Sequence, residues 1–263
     1  MTTPSITLTG IDRYGFLLEV ARGNIPGMST VVIRGHNDDL DSGTEEDVWE
    51  TGGDLTYMTS AETMEIASSS TSDDGDPAGV GLQTVLISGV SSTGALQTET
   101  ITMNGTTDVT TSSSYLRVNS MTGLTAGSTG WNVGTVTATA TTAATVQCQM
   151  SATEGTTQNS HYTVPLNKTL HVVQIELNAA KITGATPLME FKAYVRPGGA
   201  GACWLQLFDK LLDTAVTDEL DLVLPFPSSS TQATSRTDLR MRALSDTNNA
   251  ECRTRMYGIL IDD

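Results

Sequence analysis

The chain has few aromatic residues and few charges, and its charges are mostly of one sign. Of 263 residues, 5% are aromatic and 17% charged, with 14 lysines and arginines against 30 aspartates and glutamates. A net charge of -16 repels polyanions, so neither nucleic acid nor an anionic membrane is expected as a direct partner. Helix surfaces are normally covered by Glu, Lys, Arg and Gln, and their scarcity disfavours helical bundles and coiled coils. Cysteine is sparse and odd in number: Cys148, Cys203 and Cys252 form neither a zinc-ligand spacing nor a disulfide framework, and reduced, buried thiols are expected. No apolar run is long enough to span a bilayer, and MTTPSITLTGIDRYGFLLEV lacks the pattern of a signal peptide. No G-x-S-x-G elbow, H-E-x-x-H pair or phosphate loop occurs. No catalytic residue and no cofactor are therefore assigned.

Serine and threonine are plentiful, filling about a quarter of the chain. Threonine suits half-buried strands, because its branched side chain packs well on a pleated surface. Charge is uneven: residues 1–80 hold 15 acidic and 3 basic side chains. Their runs NDDLDSGTEED (37–47) and SDDGD (72–76) read as solvated loops. Residues 1–60 are accordingly expected to form an irregular acidic arm that docks the protein. From Val80 onward strand follows turn. LQTETITMNGTT (96–107) alternates and carries the hairpin signal Asn104-Gly105. Later faces pair Val173, Ile175 and Leu177; Met189, Phe191, Ala193 and Val195; Leu220, Leu222 and Leu224; and Leu239, Met241 and Ala243. The expected fold is all-β: two antiparallel β-sandwich or jelly-roll-like domains, 61–155 and 156–263, behind the arm.

Candidate sites are sparse. Asn37, Asp39 and Asp41 alternate as in a calcium loop, but Ser42 and Val48 stand where an EF-hand needs Gly and Glu. His36, His161 and His171 are candidate bases, with a solvated or interface role the plainer reading of His171. Trp49, Trp131 and Trp204 suit either a sugar platform or partly buried positions at a core or subunit contact, Trp49 being the interface candidate. Arg240, Arg242, Arg253 and Arg255 form the basic cluster. As i, i+2 pairs on strands they suggest a positive stripe facing an acidic surface, conceivably the arm of a neighbouring copy.

The segments TETITMNGTT (98–107) and SYLRVN (114–119) resemble a module of structural proteins in tailed bacteriophages, especially marine ones. EVARGNIPGMS (19–29), EEDVWETGG (45–53), HYTVPLNKT (161–169), YVRPGG (194–199) and the closing LRMRALSDTNNAECRTRMYGILIDD (239–263) are similar to the segments that flank it. The resemblance implies a non-enzymatic virion protein, assembled in the host bacterial cytoplasm. It would be a capsid decoration, cement or head-fibre protein, or alternatively a tail or receptor-binding component touching a host glycan or surface protein. Its partners would be major capsid or tail proteins and further copies of itself, a trimer being one option. A glycan-active enzyme is the remote alternative.

Overall fold

In the computed structural model, residues 13–181, 187–198, 201–214, 219–223 and 232–263 are described. A short helix, α1 (Arg13–Ala21), leads into β1 (Met28–Leu40) and β2 (Glu45–Asp47). The chain then builds β3 (Met64–Ser68), β4 (Leu82–Val90), β5 (Leu96–Thr102), β6 (Val109–Thr110), β7 (Arg117–Ala126), β8 (Val136–Ala140) and β9 (Val146–Met150). It returns through β10 (Tyr162–Thr163), β11 (Lys168–Lys181), β12 (Leu188–Arg196), β13 (Leu205–Asp213), β14 (Glu219–Val223), β15 (Gln232–Ala233), β16 (Asp238–Ser245) and β17 (Ala250–Asp262). Every ladder between strands is antiparallel. The all-β, sandwich-type fold expected from alternation is what forms.

One sandwich, the body, is built from both ends of the described chain. Its first sheet runs β1-β17-β11-β14, with β15 also against β11; its second runs β10-β16-β12-β13, with β2 also on β16. Since β2 pairs with Arg242–Leu244 and β10 with Asp238–Leu239, the two are halves of one strand position. With β14 and β15, which pair with successive parts of β11, likewise counted as one position, the body has eight strands, ordered first-eighth-third-sixth in one sheet and second-seventh-fourth-fifth in the other. That order is a jelly roll. The remaining strands, β3 to β9, form a second sandwich of a β6-β3-β8-β9 sheet and a β5-β4-β7 sheet. This insert interrupts the body in the middle of its second strand.

Residues 28–48, expected from their charge to be part of an arm, therefore belong to the body. β1 pairs with β17 from Met28↔Ile261 to Leu40↔Ala250, and Ile33, Leu40 and Val48 are buried in the body's core. Every partner of β1 in that ladder lies in β17, at the other end of the sequence, so a local reading of acidic loops could not supply it. Residues 1–12 of the expected arm lie outside the described residues.

Alternation places the core. In β12 the inward set Met189, Phe191, Ala193 and Val195 is buried, and in β16 Leu239, Met241 and Ala243 are. A fully buried residue such as Phe191 contributes about 2 kcal/mol by burial. In β11 a bulge between Val172 and Gln174 shifts the parity. Val172, Ile175 and Leu177 enter the core, while Val173 turns outward to pack against the α1 cluster. Of the Leu220–Leu224 face, Leu220 is half-buried against the core, and Leu224 lies outside the described residues. The insert has its own core, including Met64, Ile66, Val85, Ile87, Tyr115, Met121, Val136 and Met150. Asn104-Gly105 does turn, with Gly105 at φ 57, but not as a hairpin. β5 pairs with β4 before the turn, and β6 pairs with β3 in the opposite sheet after it.

Candidate functional site

Where the insert meets the body, acidic and basic side chains from distant parts of the sequence close on one another. β2 lies antiparallel to β16, with Asp47 opposite Arg242 and Glu45 opposite Leu244. The alternation that buries Leu239, Met241 and Ala243 turns Arg240 and Arg242 to the other face of β16. There Arg242 meets Glu45 at 3.2 Å, Asp47 at 3.4 Å and Asp54 at 2.5 Å, and Arg240 meets Asp47 at 3.4 Å. Glu45 also takes Lys192 of β12 at 2.8 Å.

A second acid, Asp238, holds the other half of the seam. Arg196 at the end of β12 bonds it at 2.6 Å, Arg117 at the start of β7 lies 3.4 Å away, and the Thr163 hydroxyl donates to it at 2.6 Å. Arg117 also donates to the carbonyls of Met58 and Leu116, each at 2.7 Å. Asn119 is joined to Thr163 by two hydrogen bonds, its amide donating at 3.0 Å and its carbonyl accepting at 2.9 Å. Arg117 and Asn119 belong to the insert, and Asp238 and Thr163 to the body, so these contacts clamp one sandwich to the other.

Aromatic rings fill the space between the charges. Arg117 and Arg196 sit over Tyr57 at 4.8 and 4.5 Å, and Arg196 and Arg240 over Trp204 at 4.5 and 4.2 Å. Tyr57 shares a 2.9 Å hydrogen bond with His161 Nδ1, and Trp49 meets the His161 ring edge-on at 5.7 Å. On its other side His161 Nε2 lies 3.5 Å from Asp47.

Burial decides the protonation of this seam. His161 is pushed down to about 3 by burial and by the positive charge of Arg240, Arg242 and Arg117, so it is a neutral ring. Asp47 is pushed up to about 6 by burial, against the opposing pull of Arg240, the Leu55 amide and Arg242. Asp47, His161 and Tyr57 thus form a chain of titratable groups, but Asp47 is 0% exposed and His161 3%. No substrate reaches them in this conformation. Their arrangement can hold two domains rigidly together and move a proton internally.

The positive stripe expected from the sequence is not one stripe. Arg240 and Arg242 lie in the seam, occupied by the chain's own acidic segment. Arg253 and Arg255 lie on the outer face of the other sheet, exposed at 48% and 56%, each beside a glutamate, Glu251 and Glu176. Trp49 is buried, its indole N–H donating to the carbonyls of Gly52 and Gly53, so it offers nothing to a partner surface. Trp204 lies in the seam, while Trp131 stands 52% exposed on the insert; the three do not make a platform. Cys148 and Cys252 are buried as expected, but Cys203 is exposed.

Asn37, Asp39 and Asp41 line an open acidic cleft of about 520 Å³ with Asp38, Glu45, Glu46, Glu50 and Asp54. They do not converge as metal ligands. Asn37 is buried and bonded to Glu46, its side-chain oxygen accepts the Asp39 amide, and the Asp41 amide donates to Glu46. Among the described residues no group of three His, Cys, Asp or Glu side chains has metal-holding geometry. His36 sits between Glu50 and Glu251, which raise its pKa, and His171 is half-buried on β11. Sequence reasoning missed Arg117, Arg196, Asp238, Tyr57 and Asp47. Only Arg117 carried a signal, as the lone charge of the strand RVNSMTGLTA, whereas Asp47 was masked by the acidic run around it.

No family model matches the chain, and no curated protein matches it. Two solved structures align with it at 9% identity and a TM-score of 0.22. One is a chain from an archaeal virus with a triple jelly roll fold and turret assembly, with 90% of this chain and 61% of that chain covered. The other is a chain of infectious bursal disease virus, Gt strain, with 94% and 78% covered. This chain therefore spans about three fifths of the length of the archaeal-virus chain. At this level of superposition neither match carries an argument. Among the described residues no helix is long and apolar enough to cross a membrane.

Proposed function

We propose that this chain is a structural, non-enzymatic component of a virus particle, and more specifically a capsid decoration, cement or head-fibre protein of a tailed bacteriophage. The observation that carries this reading is where the phage-like segments meet. EEDVWETGG brings Glu45, Asp47 and Trp49; SYLRVN brings Arg117 and Asn119; HYTVPLNKT brings His161 and Thr163; YVRPGG brings Arg196; and the closing segment brings Arg240 and Arg242. All of these side chains lie in or against the seam. The residues that carry the resemblance are thus spent on architecture, holding an inserted sandwich rigidly on a jelly roll. A jelly roll is used by capsid proteins, and also by lectins and cupins, so the fold agrees with the reading without deciding it. A tail or receptor-binding role is the second reading, favoured by the exposed Trp131 on the insert.

The test is quantitative proteomics of purified particles together with a particle reconstruction. Density for the jelly roll and its insert across the head, at a copy number comparable with the capsid lattice, is the expected result. A small fixed complement at the tail supports the second reading. Absence of the chain from purified particles overturns both.

A further inference from the structure

A cavity of about 170 Å³, smaller than the acidic cleft, opens between the body and the insert. One side is β1 from Val31 to Arg34; the rest is Asn119, Ser120 and Thr122 of β7, the segment returning from the insert, and Tyr162. Arg34 is the one charged side chain in this lining, and no carboxylate lines it, on a chain whose net charge is -16. Several polar groups here have no partner among the described residues. The His36 amide donates away from β17, to the Gln158 carbonyl. By the alternation of an antiparallel ladder, the N–H and C=O of Val32 and Arg34 also point off the free edge of β1, where both residues line the cavity. No backbone group of the described chain meets them there. Arg34 faces Arg255 in a non-hydrogen-bonded pair, where side chains stand closest and like charges cost stability. Arg255 has Glu176 at 3.5 Å, whereas Arg34 has no ion pair among the described residues. The hydroxyls of Ser120 and Tyr162 likewise lack a hydrogen-bond partner there. Burial holds the Tyr162 phenol above its ordinary value, so it remains a donor.

We propose that this cavity binds a sugar acid, as a single hexuronate ring. The carboxylate takes the Arg34 guanidinium, whose planar fork matches it in two parallel hydrogen bonds and offsets the facing Arg255. The ring hydroxyls serve the remaining groups, donating to the carbonyls of Val32 and Arg34 and accepting from the hydroxyls of Tyr162 and Ser120. Val31 and Val32 give apolar surface for the C–H face of the ring. Both halves of the ligand are needed. A bare inorganic anion leaves the two carbonyls unserved, and a neutral sugar leaves Arg34 unpaired in a polar slot. Size agrees as well. The cavity equals the share of about five or six waters and falls below the roughly 300 Å³ at which sites for drug-sized ligands begin. It therefore admits one ring, and a longer glycan must leave through the mouth. This inference does not depend on the particle reading.

The test is amide NMR titration of the full chain with glucuronate and galacturonate, and with glucose and acetate as the two half-ligands. At least one uronate is expected to give saturable shifts centred on Val32, Arg34 and Ser120, with glucose and acetate each weaker by about tenfold or more. Arg34→Gln should erase the preference for the uronate over glucose, and Tyr162→Phe should weaken uronate binding by about fivefold. Arg34 is exposed and Tyr162→Phe keeps the ring, so both variants retain the fold, and the amide spectrum itself reports it. No saturable shift with either uronate, or shifts centred elsewhere, overturns the proposal. Glucose or acetate binding as tightly as the uronate also overturns it, the latter leaving a site for simple anions. So does uronate binding that Arg34→Gln and Tyr162→Phe leave unchanged.

Discussion

The proton balance of the seam gives a prediction that reverses sign between two variants. In the unfolded chain His161 takes a proton below pH 6.5 and Asp47 stays ionised down to 3.8. In the folded protein the order is inverted, since His161 stays neutral to about 3 and Asp47 takes a proton at about 6. At pH 5 each state therefore holds one proton on this pair, on His161 when unfolded and on Asp47 when folded. Stability changes with pH only where the two states bind different numbers of protons, so the pair contributes almost no slope. Asp47→Asn removes the folded-state acceptor. The lowered pKa of His161 then acts alone, and its contribution, complete above pH 6.5, is lost by about 2 kcal/mol on acidification from pH 7 to pH 5. His161→Gln leaves the raised Asp47, whose ionisation costs stability above pH 6. That variant should gain about 1.4 kcal/mol over the same acidification. Urea unfolding at pH 7, 6 and 5 measures both, and the readout is the slope relative to wild type, because the other titrating groups are common to all three proteins. Parallel slopes for wild type and both variants would refute the reasoning.

Three further outcomes rest on packing and hydrogen bonding. Arg117→Ala leaves the buried Asp238 short of a partner and cuts the clamp between insert and body; a loss of about 3 kcal/mol is expected, with calorimetry resolving separate transitions for the two sandwiches. Asp73 is fully buried and accepts bonds from the amides of Leu82, Val133 and Gly134, each at 2.8 Å, and from the Ser68 hydroxyl at 2.6 Å. Asp73→Ala should cost about 3 kcal/mol or more and raise hydrogen exchange first in those amides; unchanged protection there would contradict the role. At Gly35 a Cβ would come within 2.5 Å of the Val48 carbonyl and 2.7 Å of Ser160. Gly35→Ala is expected to lower stability by about 2 kcal/mol, measured by thermal melting, with a wild-type melting curve the contrary result.

How far the sequence could be read depended on whether the information was local. Met189, Phe191, Ala193 and Val195 alternate without interruption, so their face was legible. The β11 face was misread at Val173 because a bulge shifts the parity there, and a regular alternation carries no mark of it. The acidic run 37–47 looked like solvated loop because its counter-charges, Arg240, Arg242 and Lys192, lie well over a hundred residues away. The Arg240/Arg242 pair was rightly seen to share a face and to need an acidic surface. That surface is the same chain's own β2 segment rather than a neighbour's arm. The insertion was hidden for a related reason: only its returning boundary, near 150–163, shows a change of composition, while its departure after β2 falls inside the acidic stretch.

An inserted sandwich inside a jelly roll closed by its first and final described strands imposes an order on synthesis. The insert holds all its strands once Met150 has been made, and no residue of its core lies beyond that point. The body cannot do the same. β1 must wait for β17, which begins at Ala250, and β2 must wait for β16, so its early strands remain unpaired while the insert folds. The acidic side chains those waiting strands carry, Asp38 and Asp39 on β1 and Glu45, Glu46 and Asp47 on β2, disfavour their pairing with the same strands of another chain by like-charge repulsion. The same charge that later ties β2 to β12 and β16 is, until then, a source of like-charge repulsion between neighbouring chains.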